Sequence, residues 1–518
     1  MRSPLRRKTI RHGAVSRHFT QPAPVGGWNA RDALVAMDKD QAIVLENYYP
    51  TQSWCETRGG KAVFATGTTG NIKTLAVYSP KSGADQLFAA TGSGVYNVSA
   101  AGAVGASLAA RTEGKHQTLN FGDGTNQYLM MFNGVDKPLY YNGTTWLAVD
   151  GATSPALTGL TTTTLFSAFV FKGRLIFLQN DALAFWFLPA GAAGGALTKF
   201  DLSALARRGG YLQAGATWTS DSGNGPDDRA VFVTSEGEII VYEGTDPGTA
   251  ANWQLVGVFE VGSPLGKRCL TKLGGDLLYL NKTSLSPLSA LLPAKTDEEA
   301  NLAAIIGPAF NESARLYGSN FGWEMTLYPR RAALIVNIPL AENGVHHQYV
   351  LNLTTQAWCK FTGWSAETFA VFNDELYYAS GTSTFKAWTG FADDGALIRA
   401  RGEMAYTRLG VSNPKRVTLF RVTLSSSGGA DYVAGVNVDF MSRHLSVTTL
   451  NLASESARWG SAKWGVSRWG GGETINRAWL SPQADVGVWF SGWVETASKT
   501  QSVPWISADY VFEPASAP

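Results

Sequence analysis

Seven short runs along the chain are apolar on successive positions, so they do not alternate as a half-buried strand would. The clearest is Phe171-Lys172-Gly173-Arg174-Leu175-Ile176-Phe177-Leu178, which reads as a strand, a tight turn and a second strand with both faces apolar. The same grammar returns at Leu273–Leu280 and Phe372–Tyr378. Weaker copies lie at 85–89, 127–131, 228–233 and 331–336. One anchor per copy gives positions 87, 129, 175, 231, 277, 334 and 376, separated by 42, 46, 56, 46, 57 and 42 residues. A period of roughly 40–50 residues is that of a propeller blade of four short strands. Blades stack face to face, which covers a middle strand on both sides and removes its alternation.

An aromatic strand follows most anchors: Val95-Tyr96, Tyr140-Tyr141, Phe185-Trp186-Phe187, Val241-Tyr242, Tyr349-Val350-Leu351 and Phe385. A turn and a tryptophan then come at Trp146, Trp253, Trp358 and Trp388. The expected blade is therefore an inner strand, an anchor strand, an aromatic strand and a Trp-bearing outer strand. A generic all-β chain with hairpins at ordinary spacing is the alternative, since the copies share pattern rather than motif. The fold class expected is all-β, a β-propeller of six or seven blades with an additional C-terminal β-sandwich-like domain.

Four parts follow in order. Residues 1–20 form a basic arm, and 21–69 hold short helices and a propeller-closing strand. Residues 70–397 form the propeller, with a helical insertion near 283–315, and 398–518 a C-terminal β domain. Asn29 is placed to cap a helix through Met37, and Asp38 or Asp40 another through Asn47. The closing strand is expected around Cys55. A short helix is expected from Asp201 to Arg208, with Gly209-Gly210 at its end. Thr296-Asp297-Glu298-Glu299 reads as a capping box leading into Ala300–Ile306, stopped by Gly307-Pro308. Beyond 398, longer strands at Arg401–Leu409, Arg416–Leu424 and Tyr432–Phe440 point to a sandwich. Within it, Trp459, Trp464 and Trp469 recur every five residues, each after Arg or Lys and before Gly. They fit cation–indole stacking across a subunit contact, or an irregular hairpin covering the domain's own open end.

Composition agrees with an all-β chain: 518 residues hold 56 Gly and 21 Pro, and helix-period stretches are few. No apolar run nears the roughly 18–20 residues of a membrane-spanning helix. Cys55, Cys269 and Cys359 are far apart and odd in number, which fits free thiols and assembly in a reducing cytoplasm. Net charge is +2, but Arg2, Arg6, Arg7, Lys8, Arg11 and Arg17 place +6 on residues 1–18 and leave the rest at −4. The body is mildly acidic and unlike a general nucleic-acid binder. The arm is either a docking segment or a solvated tail.

Candidate chemistry is sparse. His346 and His347 are adjacent on an expected strand, so they point to opposite faces and cannot share a metal. No zinc spacing and no nucleophile elbow occurs. Asp221, Asp227 and Asp228 fit a calcium loop or, more simply, a solvated turn. Asp297, Glu298 and Glu299 read as the acidic first turn of a helix. No catalytic residue, metal or cofactor is expected.

Gly26-Gly27-Trp28-Asn29-Ala30-Arg31-Asp32-Ala33-Leu34, then Ala42–Pro50 with Glu46-Asn47-Tyr48-Tyr49-Pro50, then Arg58-Gly59-Gly60, resemble the opening of tail nozzle proteins of short-tailed bacteriophages, also called tail tube or packaged-DNA stabilisation proteins. Leu409-Gly410, Lys415-Arg416 and Asp509-Tyr510-Val511 are similar to their C-terminal parts. Trp28 stands where that family has a smaller apolar residue. The resemblance implies a propeller with added β-domains and a homo-hexameric ring below the portal and adaptor proteins. It also implies contact with tail fibres or tailspikes, non-specific passage of double-stranded DNA, and a place in the virion tail after assembly in the host cytoplasm. The expectation is a non-enzymatic structural subunit that retains packaged DNA and conducts it during ejection; the alternative is a receptor- or glycan-binding propeller tail protein. Candidate partner contacts are Arg2, Arg6, Arg7, Lys8, Arg11 and Arg17 of the arm, Leu302 and Ile305 of the insertion, and Trp459, Trp464 and Trp469.

Overall fold

The computed structural model describes residues 16–221, 226–294, 296, 298–426, 430–441, 450–451, 474–475, 478–482 and 484–515. The chain forms two compact units. One is Gly59–Asp394, and the other joins the two ends of the chain, up to Arg58 and from Gly395.

Gly59–Asp394 is a seven-bladed propeller. Blades 1 to 4 are successive four-stranded antiparallel sheets that begin with Ile72–Tyr78, Gln117–Gly122, Leu165–Phe171 and Leu212–Asp221. Blade 5 has three strands, Leu270–Leu273, Asp276–Leu280 and Leu285–Pro287. Blade 6 runs from Glu324–Tyr328 to Ala357–Phe361. Blade 7 comprises Thr368–Phe372, Glu375–Ser380 and Ser383–Ala387, and the early strand Lys61–Thr66 completes it. Each of the seven anchors lies in the second strand of its own blade.

The core explains why those strands are apolar on both faces. In blade 3, Leu175 and Phe177 pack with Met130, Phe132 and Tyr140 of blade 2. Their neighbours Ile176 and Leu178 pack with Phe232, Ile240 and Trp253 of blade 4. In blade 1, Phe88 and Ala90 meet Leu129 and Tyr141 of blade 2, whereas Leu87 and Ala89 meet Ala370, Phe372 and Tyr377 of blade 7. Odd and even positions thus serve different neighbours, and the contact between blades 7 and 1 closes the ring. Ring aromatics reinforce these seams: Phe185 stacks on Phe232 at 4.6 Å, across blades 3 and 4, a geometry that adds to plain area burial.

Ring closure falls on Lys61–Thr66 and not on the strand around Cys55. Cys55–Thr57 belongs to the unit of the chain's two ends, where it pairs with Tyr48–Pro50 and, at Cys55, with Trp505. Gly59 and Gly60 explain the shift. A Cβ at Gly59 would collide with Trp388, and one at Gly60 with the Ala392 carbonyl. The chain therefore threads a passage that admits only glycine and starts its closing strand on the far side.

The sequence-expected helices mostly give way to other structure. Asn29 accepts from the backbone N–H groups of Arg31 and Asp32, both at 3.0 Å, so it makes a turn and caps no helix. Gln41–Glu46, with β-branched Ile43 and Val44 at its centre, is a strand between Gly27–Trp28 and Ala396–Met404. Thr198–Asp201 is the outer strand of blade 3. The turns after it are held by buried Glu238, which accepts from the Arg207 and Arg208 N–H groups. Between blades 5 and 6, Gly307-Pro308 starts a helix where a stop was expected, and the helix runs Gly307–Tyr317 with proline in its first turn.

That excursion lies on its own chain. Trp358 of blade 6 donates its indole N–H to the Leu302 carbonyl at 3.0 Å, the Leu302 N–H donates to Leu285, and Ser313 meets Tyr349 at 3.0 Å.

The second unit is a β-sandwich. One sheet pairs Lys415–Ser426 with Trp505–Pro514, whose other edge takes Arg17–Pro22. The other sheet runs Gln41–Glu46, Ala396–Met404, Phe490–Ser498 and Asp431–Val438. A Cβ at Gly402 would strike Trp505 of the facing sheet, so the layers meet closely there. The N-terminal segment thus contributes a strand to each layer rather than standing apart.

Candidate functional site

The first strands of all seven blades surround the propeller axis. They enclose a cavity of about 310 Å³ whose lining includes Thr74, Gln117, Ser167, Gly215, Thr271, Glu324 and Thr368, one from each blade in turn. Small residues, Ala168, Ala214 and Ala216 among them, keep the backbones close.

Arg268 spans this space. Its guanidinium donates to Glu324 of blade 6 at 2.6 Å, Thr368 of blade 7 at 2.9 Å, Thr74 of blade 1 at 2.9 Å and the His116 carbonyl at 3.1 Å, where blade 2 begins. One cation at the entry to blade 5 therefore holds four other blades. The Glu324 carboxylate also accepts from the Phe369 N–H and the Thr368 hydroxyl. Burial pushes its pKa above the ordinary carboxylate range, against the pull of Arg268. The fork of a guanidinium suits this many-armed role, which a lysine could not fill.

A second tier continues the network. Lys73 pairs with Glu367 at 3.1 Å and Glu342 at 3.3 Å, and Lys115 pairs with Glu342 at 2.9 Å. The Lys115 bond lowers the Glu342 pKa first of all. Lys115, Arg268 and Lys73 also stand 4.9, 5.1 and 5.6 Å from the ring centre of Phe321, within cation–π range. Buried His116, held neutral, has its pKa pushed down to about 4 by burial, and its Nε2 faces the Asn133 amide at 3.3 Å.

Chemically, this is a clasp. Glu324, Glu367 and Glu342 each face a cation. Among the described residues no group of three His, Cys, Asp or Glu side chains could hold a metal ion. Nor is any helix among them long and apolar enough to cross a membrane. The three cysteines are free and buried, and burial pushes the Cys269 thiol up to about 12. A larger cavity of about 570 Å³ adjoins the axial one and shares Gln117, Lys267 and Arg268 in its lining.

The sequence-derived contacts scatter. Arg17 is not part of a free arm: it pairs with Phe512 in the sandwich. Leu302 and Ile305 are half-buried in the excursion. Arg2, Arg6, Arg7, Lys8, Arg11, Trp459, Trp464, Trp469 and Asp297 lie outside the described residues. His346 and His347 do alternate on their strand, His346 buried and His347 half-buried. The clasp itself escaped sequence reasoning. Its charges come from separate blades, and the one signal is a charged residue at or just before the inner strands of blades 1, 2, 5, 6 and 7, at Lys73, Lys115, Arg268, Glu324 and Glu367.

No family model and no curated protein matches the chain. Among solved structures, Raptor from Chaetomium thermophilum is similar at 11% identity and a TM-score of 0.38, over 65% of this chain and 29% of that one. BBS1N in complex with ARL6DN gives 11% identity and 0.38, over 64% and 99%. A putative 6-phosphogluconolactonase from Bacteroides fragilis gives 12% and 0.33, over 66% and 90%.

Proposed function

We propose that the chain is a virion structural protein without catalytic activity: a tail nozzle subunit of a short-tailed bacteriophage. In this reading six copies form a ring that extends the DNA channel, meets adaptor or portal proteins and tail fibres or tailspikes, and retains packaged DNA until ejection. The observation that carries the reading is the place of the resembling residues. Asn47, in a left-handed backbone conformation, accepts from buried Arg58 at 2.9 Å and donates to the Arg399 carbonyl at 2.8 Å. Arg58 leads directly into the Gly59-Gly60 passage before the closing strand. These motifs thus hold the framework of the chain, which supports a structural role.

The axial clasp supports the same reading. Its cavity of about 310 Å³ is far too small for a duplex, whose major groove alone is about 12 Å wide. In this reading the channel lies between subunits, in contacts of the head-to-tail kind that close a ring. A body at −4, apart from residues 1–18, passes DNA without neutralising its phosphates. The test is genetic: particles assembled without this chain should package DNA and then leak it. Particles that keep their DNA without it would contradict the proposal.

A further inference from the structure

The clasp pairs its carboxylates with cations but leaves one cation out. Lys267, next to Arg268, lines both cavities. Its ammonium meets the Asn180 side-chain oxygen at 3.2 Å and stands 4.3 Å from the ring centre of Phe166. Among the described residues no carboxylate lies within ion-pair distance of it. Glu113 and Asp181 act on it only from farther away, and burial lowers its pKa. A partly buried ammonium without a counter-charge is unfavourable, and an anion in the cavity would supply that charge.

The rest of the mouth has the character of a small-molecule site. Its volume of about 570 Å³ falls within the roughly 300–1,000 Å³ typical of such pockets. Gln117 and Gln213 offer amides from the inner strands of blades 2 and 4, Tyr211 offers a phenol, and Phe321 offers a ring. Glu113, Lys115, Lys282 and Glu342 also stand on this wall, and among the described residues Lys267 is the partly buried cation there without an ion pair. Amides on two rigid strands, an aromatic ring and this cation match a hydroxyl-rich ring with a single acidic group.

We propose that the axial mouth binds a monosaccharide-sized ligand carrying one anionic group, with that group on Lys267. A carboxylate and a phosphate would satisfy Lys267 alike, so the chemistry common to uronic acids and sugar phosphates defines the ligand. The proposal does not rest on the nozzle reading, because it concerns a cavity inside one chain and is tested without particles.

Titration of the purified full-length chain with D-glucuronate, D-glucose 6-phosphate and D-glucose at neutral pH and low salt tests it. At least one acid should bind about tenfold more tightly than glucose, as expected for a hydrogen bond to a charged group. The tighter acid arm assigns carboxylate or phosphate. Lys267→Met should abolish the preference, and Asn180→Ala should weaken binding of the preferred acid. If Lys267→Met does not fold, the acid-over-neutral preference of the unaltered chain and the Asn180→Ala result decide. Equal affinity for all three sugars, no binding of either acid at millimolar concentration, or an acid preference that survives Lys267→Met would overturn the proposal.

Discussion

The propeller and the sandwich solve the same problem, covering a sheet, in different ways. A propeller anchor strand such as Arg174–Gln179 has four consecutive buried residues, because one neighbour blade takes the odd positions and the other the even ones. In the sandwich, Lys415–Ser426 buries Val417, Phe420, Val422 and Leu424 and leaves the intervening positions partly open. One sheet there covers one face. The propeller gains a continuous ring of cores, yet its inner strands bring seven backbones together around an axis that must be filled. Arg268 and the carboxylates around it fill it with charge, where the sandwich fills its centre with Trp505, Tyr510 and Phe420.

That contrast breaks most sharply at the clasp. Arg268→Met leaves Glu324 buried without its cation, a loss expected to cost about 3–5 kcal/mol. Calorimetry should show it as a lower transition for the propeller, with the sandwich transition in place. Changing both partners, Arg268→Met with Glu324→Leu, should recover much of the loss, since it removes the stranded charge.

A smaller and more even effect is expected along the strands. Leu175→Ala and Ile176→Ala should each cost about 2–5 kcal/mol, because adjacent positions are both core. In the sandwich the neighbours should differ: Leu424→Ala falls in that range, and Thr423→Ala stays within about 0.5 kcal/mol, as for ordinary surface changes. Denaturant titration of the four variants measures both pairs. Equal costs at 423 and 424, or unequal ones at 175 and 176, would remove the distinction.

The pH response is the mildest of the three near neutrality. His116 is depressed to about 4 when folded, and burial also lowers His346. The unfolded chain therefore binds more protons below the ordinary histidine value of about 6.5, and stability falls as pH drops from there to about 4. His116 accounts for about 3 kcal/mol across that window, since each tenfold change in proton affinity is worth about 1.4 kcal/mol. His116→Gln should flatten the decline, read from midpoints at a series of pH values.

The difference between the regions also governs what the chain discloses without its structure. The anchors are legible because blade-on-blade packing leaves runs of apolar residues at a repeated distance. The closing strand is not, because Lys61–Thr66 is an outer strand that buries only Ala65 fully, and Cys55 looks more like core. Pro308 reads as a stop because proline breaks a helix interior, whereas at the first turn it costs nothing. The sandwich could be placed but not completed, since five of its strands, from Arg17–Pro22 to Cys55–Thr57, come from the other end of the chain. The clasp is invisible for a related reason. Lys73, Arg268, Glu324 and Glu367 are joined by the ring, and in sequence each is one ordinary charge near the start of a strand.

The central claim, that the chain is a ring-forming nozzle subunit, is tested most directly by imaging the assembled protein or the tail of the particle that carries it. The account predicts six copies around a bore wide enough for duplex DNA, with each propeller axis closed and the bore between subunits. A monomer at every concentration with no ring in the particle, or DNA passing through the propeller axis itself, would contradict it.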